Sequence, residues 1–415
     1  MKKLFKSYKS TILLLLGVLI GAICGIVFQS DAAIVKPLGD LFLNLLLISI
    51  VPLIFFSIAS SIAKMKEKKR LSKILISIFI IFLLTSVVAV VIGFVAVKPI
   101  NLVDLQDKQV IEELFSASEE ESVELNLLER TVDALSTNEF VSLFSTEHLI
   151  ALIVVSMLFG IAVSKTGEKG KPMADFLISG SEVMYKFVEI ISYYAPIGLG
   201  CYMASLVGTL GDAVAVGFLK VTIVYFLVSI LFMFIFYTIY AYVSFGKKGV
   251  KAYWKNILPP AFTSLGTCSS AASVPANIEA TKKMGVPSDI AETTISLGTS
   301  FHKDGSAIGS VFKIMFLVCF FGTSLNSFGS IGKVLGVSLI ATLLVTAVPI
   351  GGGTISEMLI LTLMGYPVAA LPILTIIATV IDAPATLLNV VGDSSCALMV
   401  TRVVEGPKSL KVKKN

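Results

Sequence analysis

Long apolar runs alternate with short charged segments along most of this chain. A helix needs about 20 apolar residues to cross a hydrocarbon core about 30 Å thick. Six runs in the first part of the chain reach or approach that length, and they cover 11–29, 41–63, 74–97, 141–165, 175–206 and 214–244. The pattern therefore predicts six transmembrane helices before residue 250.

The first run also has the layout of a secretory signal peptide, because the basic segment MKKLFKSYK precedes it. Its apolar stretch of about 18 residues is long for a signal peptide, and no clean small-residue cleavage site follows it. We therefore interpret it as the first transmembrane helix.

The segments between the runs alternate in charge. Segments 2–9, 64–73, 165–171 and 247–255 are rich in lysine, whereas 98–140 is acidic. Because basic loops stay on the cytoplasmic side of a membrane, both termini and the lysine-rich segments are predicted to lie inside, and the acidic loop outside.

Two later segments are interrupted where a spanning helix would be continuous. Segment 252–285 begins and ends with lysines around a polar middle, TSLGTCSSAAS, and 331–365 is broken by PIGGG. Each is followed by a span with polar residues at mid-depth, 288–322 and 367–404. Irregular backbone at membrane depth must be buried in protein or line a cavity. Two hairpins that enter from opposite faces indicate an inverted repeat around a site at the membrane midplane.

The last span carries a polar stripe. Asp382, Thr386, Asn389 and Asp393 are spaced i, i+4, i+7 and i+11, which places them on one face of a helix. A carboxylate at membrane depth costs about 2.5–3.5 kcal/mol, so two on one stripe imply compensating partners. The alternative is a polar network that only locks helices together.

The span before it contains SFHKDGSAIG, with three adjacent charged or titratable residues. Gly298, Gly305 and Gly309 bracket His302–Ser306, so the helix can unwind there and expose carbonyl groups. Carbonyls and carboxylates are hard oxygen ligands that suit a small cation. The serines and free N–H groups of the two hairpin tips suit a substrate carboxylate. The alternative for Lys303 is a structural salt bridge.

Composition agrees with a membrane protein. The 415 residues are 55% hydrophobic and 15% charged, with a mean hydropathy of +0.91, which leaves no soluble domain of useful size. The net charge of +5 comes from short clusters, so a nucleic-acid partner is not expected. The five cysteines are scattered singly and only two histidines are present, which argues against a disulfide framework, a histidine-based metal centre and an intramembrane enzyme. Hairpin gates around a midplane site suit alternating access better than a channel.

With these residues the chain resembles the dicarboxylate/amino acid:cation symporter family, which includes glutamate, neutral amino acid and archaeal aspartate transporters. The matching motifs are LLTS at Leu83–Ser86, APIG at Ala195–Gly198, CSSAASVP at Cys268–Pro275, HKDGS at His302–Ser306, VPIGGG at Val348–Gly353 and NVVGD at Asn389–Asp393.

The resemblance implies an all-α polytopic membrane protein with eight transmembrane helices, two re-entrant helical hairpins and inverted repeats. It implies a lipid-embedded homotrimer in the cytoplasmic membrane, whose transport domain moves against a fixed scaffold as an elevator. The implied divisions are scaffold helices in 1–73 and 141–210, transport-domain helices 3 (74–97) and 6 (211–250), a transport core at 251–404, an extracellular loop at 98–140 and a basic tail at 405–415.

The resemblance also implies which residues bind the transported ions and the substrate, and it implies no cofactor. One sodium site would use Asp393 with carbonyls of Gly298, His302 and Asn389. A second site would use Asp304, Thr85, Ser86 and the position of His302. A third site would use Ser300 and the backbone around Thr342 and Val345. The substrate would meet Ser269, Ser270, Ser306, Val348, Gly352, Asp382, Ala385, Thr386 and Asn389. Asp382 matches the position that takes a substrate amine.

Two departures from the family pattern change the expected substrate and coupling. Members with acidic substrates carry an arginine where this chain has Ala385 or Cys268, so we expect a neutral amino acid. HKDGS replaces asparagine-methionine-aspartate-glycine-threonine, so Lys303 is a candidate to take over the charge of one sodium ion or to couple uptake to protons. The alternative is that Lys303 replaces the arginine and binds an acidic amino acid or a C4-dicarboxylate.

Overall fold

A computed structural model of the chain describes residues 2–63, 69–103, 136–145, 148–325, 327–345, 352–407 and 409. Every regular element in these ranges is a helix. The α-helices are α1 (Lys2–Phe28), α2 (Lys36–Ala63), α3 (Lys69–Val97), α4 (Phe140–Leu143), α5 (Leu149–Lys165), α6 (Lys171–Ser192), α7 (Ala195–Leu210), α8 (Asp212–Asn256), α9 (Leu258–Thr267), α10 (Ser270–Lys283), α11 (Ser288–Phe301), α12 (Asp304–Phe320), α13 (Phe328–Val345), α14 (Gly352–Met364) and α15 (Leu371–Glu405).

Several helical stretches are long and apolar enough to cross a membrane. Within the described ranges these are Leu13–Ser60, Ile74–Val97, Ala213–Asn256 and Val368–Glu405. The pair α6 and α7, bent by 55°, would add a fifth if it forms one span. These features confirm an all-helical protein of the polytopic membrane class, while the number of eight spans stays a prediction.

The helix boundaries differ from the predicted spans in three places. The run 175–206 is two helices, because Pro196 in the first turn of α7 cannot donate the hydrogen bond that would continue α6. The run 141–165 starts with the short α4, and α5 begins only at Leu149. Helix α8 continues past residue 244 to Asn256, across non-helical backbone at Phe245 and Gly246.

The second half follows the predicted order of helices. Helices α9 and α10 contact each other and occupy the predicted hairpin 252–285, with Cys268 in the left-handed conformation between them (φ 46°). Helices α13 and α14 also contact each other, and most of the predicted PIGGG interruption between them lies outside the described residues. The acidic loop 98–140 and the tail 405–415 likewise fall largely outside them.

Two groups of helices pack around different centres. Helix α15 lies at the centre of one group and contacts α3, α8, α9, α10, α11, α12 and α14. Helix α2 packs against α5, α6 and α7 in the other, and α1 packs along α7. The α1–α7 contact is close because Gly21 lies directly on the backbone of Gly200, where any side chain would collide. The polar stripe therefore lies in the group centred on α15.

Candidate functional site

The chain leaves the helical conformation between α11 and α12. His302 (φ −126°, ψ 116°) is extended, Lys303 (φ −144°, ψ 68°) is also non-helical, and helix resumes at Asp304. The break covers two residues and is narrower than the predicted unwinding of His302–Ser306. Asp304 lies in the first turn of α12, where the helix dipole stabilises a negative charge.

The His302 ring lies between two buried carboxylates. Its Nδ1 is 2.9 Å from Asp393 Oδ1, and its Nε2 is 3.0 Å from Asp304 Oδ1. Nε2 is also 2.9 Å from Thr85 Oγ1, and the ring stacks on Phe82 with centroids 4.5 Å apart. Both nitrogens of an imidazolium ring are donors, so a protonated His302 would face one carboxylate on each side of the ring. The side chain has no exposed surface.

The described residues satisfy only part of the hydrogen-bonding capacity of the Asp304 carboxylate. Its Oδ2 is 3.4 Å from the Tyr237 hydroxyl, which also donates to the Leu388 carbonyl at 2.8 Å. Its Oδ1 is at ion-pair distance from His302 but receives no aligned hydrogen bond from the described part of the chain. The hydroxyl of Ser86, beside Thr85 on α3, also has no hydrogen-bond partner there.

Asn389 joins the polar stripe to the start of α12. Its Oδ1 accepts from the backbone N–H groups of Gly305 at 2.9 Å and Ser306 at 3.3 Å. Its Nδ2 donates to Ser306 Oγ at 3.3 Å, and Tyr225 donates to the Gly305 carbonyl at 2.7 Å. Since the first N–H groups of a helix have no partner within it, the Asn389 amide caps α12. The structure thereby brings the two polar motifs of the sequence together.

The remaining carboxylates of the stripe differ in how tightly they are enclosed. Asp393 is buried and lies against the backbone of Gly298, with no room for a side chain between them. Asp382 is partly buried, and Thr386 Oγ1 donates to its Oδ1 at 3.4 Å. Ala385 is buried and offers only a methyl group. Asp382 is thus the carboxylate of the stripe with capacity for a further donor.

Lys303 lies beside this stripe without a fixed partner. Its ammonium makes no hydrogen bond or ion pair with any residue that the structure describes, although Asp393 and Asp382 both lie close enough to attract it. Three carboxylates, those of Asp304, Asp382 and Asp393, therefore share the site with two basic side chains. The salt bridge considered for Lys303 is made by His302 instead.

The structure describes some of the predicted substrate ligands of the two hairpins. Ser269 Oγ accepts from Ala272 N and caps α10, which Ser270 begins. Helix α10 is held on α15 further along, where Asn277 donates to the Val390 carbonyl at 2.8 Å. Gly352 begins α14.

Four other predicted ligands belong to the proposed third ion site and the second hairpin. Thr342 Oγ1 lies 3.2 Å from Ser310 Oγ. Val345 ends α13, while Val348 and the side chain of Ser300 lie outside what the structure describes.

A second buried ion pair was not predicted from the sequence. Lys313 Nζ on α12 is 3.0 Å from Glu357 Oε1 on α14, and Thr375 on α15 donates to Glu357 Oε2 at 2.7 Å. The exposed fractions of the Lys313 and Glu357 side chains are 8% and 1%. Both stand alone in apolar runs, FKIMFL and SEMLIL, which was the available signal.

No three His, Cys, Asp or Glu residues in the described ranges are arranged to hold a metal ion. Carbonyl and hydroxyl oxygens would have to complete any cation site in this part of the chain. Such ligands favour a transported alkali cation over a tightly held transition metal.

Comparison with known proteins agrees with these features. A model of the sodium:dicarboxylate symporter family matches residues 11–403. The chain is similar to the proton/sodium-glutamate symport protein of Bacillus caldotenax, with 26% identity over 400 residues that cover 93% of this chain and 92% of that protein. It is also similar to the C4-dicarboxylate transport protein of Bacillus subtilis (strain 168), with 27% identity over 429 residues and 99% of both chains covered.

Proposed function

This chain belongs to the sodium:dicarboxylate symporter family, and from that premise we propose that it takes up a small, neutral L-amino acid. A cation gradient drives this uptake. Members of this family are symporters and not enzymes, so the cation is cargo and no cofactor is needed. The resemblance stated on the sequence motifs is thereby confirmed at the level of the family.

The observation that carries the proposal is the meeting of the α15 stripe with the break between α11 and α12. Asn389 holds the N-terminus of α12 against α15, and Asp382 lies about two helical turns away on the same face. A solute between them would find a carboxylate for its amine, and polar hydrogen-bonding groups for its carboxylate. Polar groups of this kind cost free energy in an apolar bundle, and inside membrane proteins they usually mark a substrate or ion pathway.

The absence of an arginine at the positions of Ala385 and Cys268 supports a neutral substrate. A side-chain carboxylate would be desolvated beside the methyl group of Ala385 without a bidentate partner. Retaining Asp382 while lacking the guanidinium favours an amino acid whose only carboxylate is the α-carboxylate, such as alanine or serine.

A second candidate is an acidic amino acid or a C4-dicarboxylate. The specific observation in its favour is the ammonium of Lys303, which has no partner among the described residues and lies close to Asp382 and Asp393. The names of the similar proteins, glutamate and C4-dicarboxylate transporters, point the same way. In this case Lys303 pairs the second carboxylate and takes the place of the arginine.

Purified protein in liposomes tests both candidates. Uptake of labelled alanine, serine, aspartate and succinate is measured in turn under imposed sodium or proton gradients, with the other solutes as unlabelled competitors. Saturable, gradient-driven uptake that only neutral amino acids inhibit supports the first candidate. Inhibition by aspartate or succinate that disappears in Lys303→Met supports the second, and no gradient-driven uptake of any of these solutes would reject symport.

The division into a scaffold (1–73 and 141–210) and a moving transport domain (74–97 and 211–404) is part of the same proposal. It is supported by the two groups of helices, one centred on α15 and one on α2 and α7. We further propose a homotrimer with re-entrant hairpins and both termini in the cytoplasm. The mass of the purified assembly tests the trimer, and labelling of single cysteines placed at the termini tests the orientation.

A further inference from the structure

The ring of His302 fills the space between Asp304 and Asp393. Asp304 Oδ1 lies 3.0 Å from Nε2, and Asp393 Oδ1 lies 2.9 Å from Nδ1. Small hard cations bind carboxylate oxygens at about 2.0–2.6 Å and collect six or more oxygens. An ion between ring and carboxylate would need the ring to leave, because hydrogen-bond distances leave no room for an additional atom.

Two helices hold the ring in this position. Helix α3 contributes the stacked Phe82 and the Thr85 hydroxyl. Helix α15 contributes Cys396, whose Sγ is 3.6 Å from Nε2, and Gly392, where an added Cβ would lie 3.2 Å from the ring. Each of these contacts would be lost if the ring swung out, so it is a fixed part of the bundle.

We propose that the His302 side chain is a built-in substitute for one transported cation. It occupies the place between Asp304 and Asp393, travels with the protein in both directions, and leaves the driving cation to bind elsewhere. The predicted sodium site of Asp304, Thr85, Ser86 and the position of His302 is therefore closed as long as the ring is present. This inference rests on the proposed symport and adds to it the number of coupled ions.

The consequence is thermodynamic and can be measured without reference to rates. At a tenfold sodium gradient and zero membrane potential, each coupled sodium multiplies the final accumulation of substrate about tenfold. Replacing His302 by asparagine removes the ring, keeps a polar amide, and opens a space between the two carboxylates. One more sodium is then expected to be carried in each cycle.

The first experiment compares wild-type protein and His302→Asn in proteoliposomes, with potassium and valinomycin setting the potential to zero. The expected result is about tenfold higher final accumulation in His302→Asn than in wild type at a tenfold sodium gradient. Equal accumulation ratios in two active proteins would overturn the proposal. A wild-type protein without any uptake would instead reject the proposed symport.

A second experiment keeps the proposal testable if His302→Asn is inactive. The chain has two histidines, so His148→Gln leaves one ring whose nitrogen signals can be observed by NMR after ¹⁵N-histidine labelling. The signals of His302 are expected to stay unchanged when sodium chloride is added to the reconstituted protein. A sodium-dependent shift of both ring nitrogens would show that the ion enters between the carboxylates, and would overturn the substitution. The double variant with His302→Asn identifies the signal.

Discussion

The ion pair between Lys313 and Glu357 yields a sharp test of how charges are tolerated inside this bundle. Glu357→Gln preserves the volume of the side chain and removes its charge. It leaves the Lys313 ammonium buried, with a neutral amide at the position where the carboxylate lay 3.0 Å away. The bond from Thr375 to Oε2 is also weakened, because a neutral amide oxygen is a poorer acceptor than a carboxylate oxygen.

The size of the effect follows from burial. Removing one partner of a buried pair costs about 3–5 kcal/mol, because the remaining charge has lost both water and its counter-ion. Replacing both partners restores most of this, so Lys313→Met combined with Glu357→Gln should be more stable than Glu357→Gln alone. The pair joins α12 to α14 and, through Thr375, to α15, so the single variant should also loosen α14.

The assay is denaturant-induced unfolding of the purified full chain, followed by fluorescence of its single tryptophan, Trp254. The matched control is Glu279→Gln, which removes the carboxylate of an exposed ion pair with Lys283. The exposed fractions of the Lys283 and Glu279 side chains are 62% and 69%. No measurable loss is expected there, since solvent screens such pairs. The reasoning is refuted if Glu357→Gln is no less stable than the control, or if the double variant is no more stable than Glu357→Gln.

Three further predictions concern the polar site. Gly298→Ala should abolish uptake, because its methyl group would collide with the Asp393 carboxylate, whereas Gly336→Ala, which has open space, should keep it. Asn389→Ala should lower stability by about 0.5–2 kcal/mol through loss of the α12 cap and also raise the substrate KM; an unchanged KM and melting temperature would contradict this. Asp382→Asn should abolish uptake of amino acids, and retained uptake of labelled alanine or serine would show that this carboxylate does not hold the amine.

Much of the fold could be read from the chain itself. The apolar runs, the lysine-rich segments and the two interruptions are local features, and they predicted helices at α9–α15 close to where they lie. The break at Pro196 was missed because the apolar pattern continues across it. Hydropathy records how apolar a segment is, but not whether its backbone can remain one straight helix.

The candidate site was predictable where residues share one helix and not where they meet across helices. The stripe from Asp382 to Asp393 follows from the helical period alone. The partners Lys313 and Glu357 are 44 positions apart on different helices, and nothing local links them.

Sequence by itself identified a helical membrane protein of this family, and it predicted that charged groups gather around His302–Ser306 and the Asp382–Asp393 stripe. Only the tertiary structure decided which basic side chain stands between the carboxylates. His302 and Lys303 are adjacent in the non-helical break between α11 and α12. Which of the two side chains faces Asp304 and Asp393 depends on how α11 and α12 pack against α3 and α15, and that packing places the imidazole there and leaves the ammonium beside the stripe.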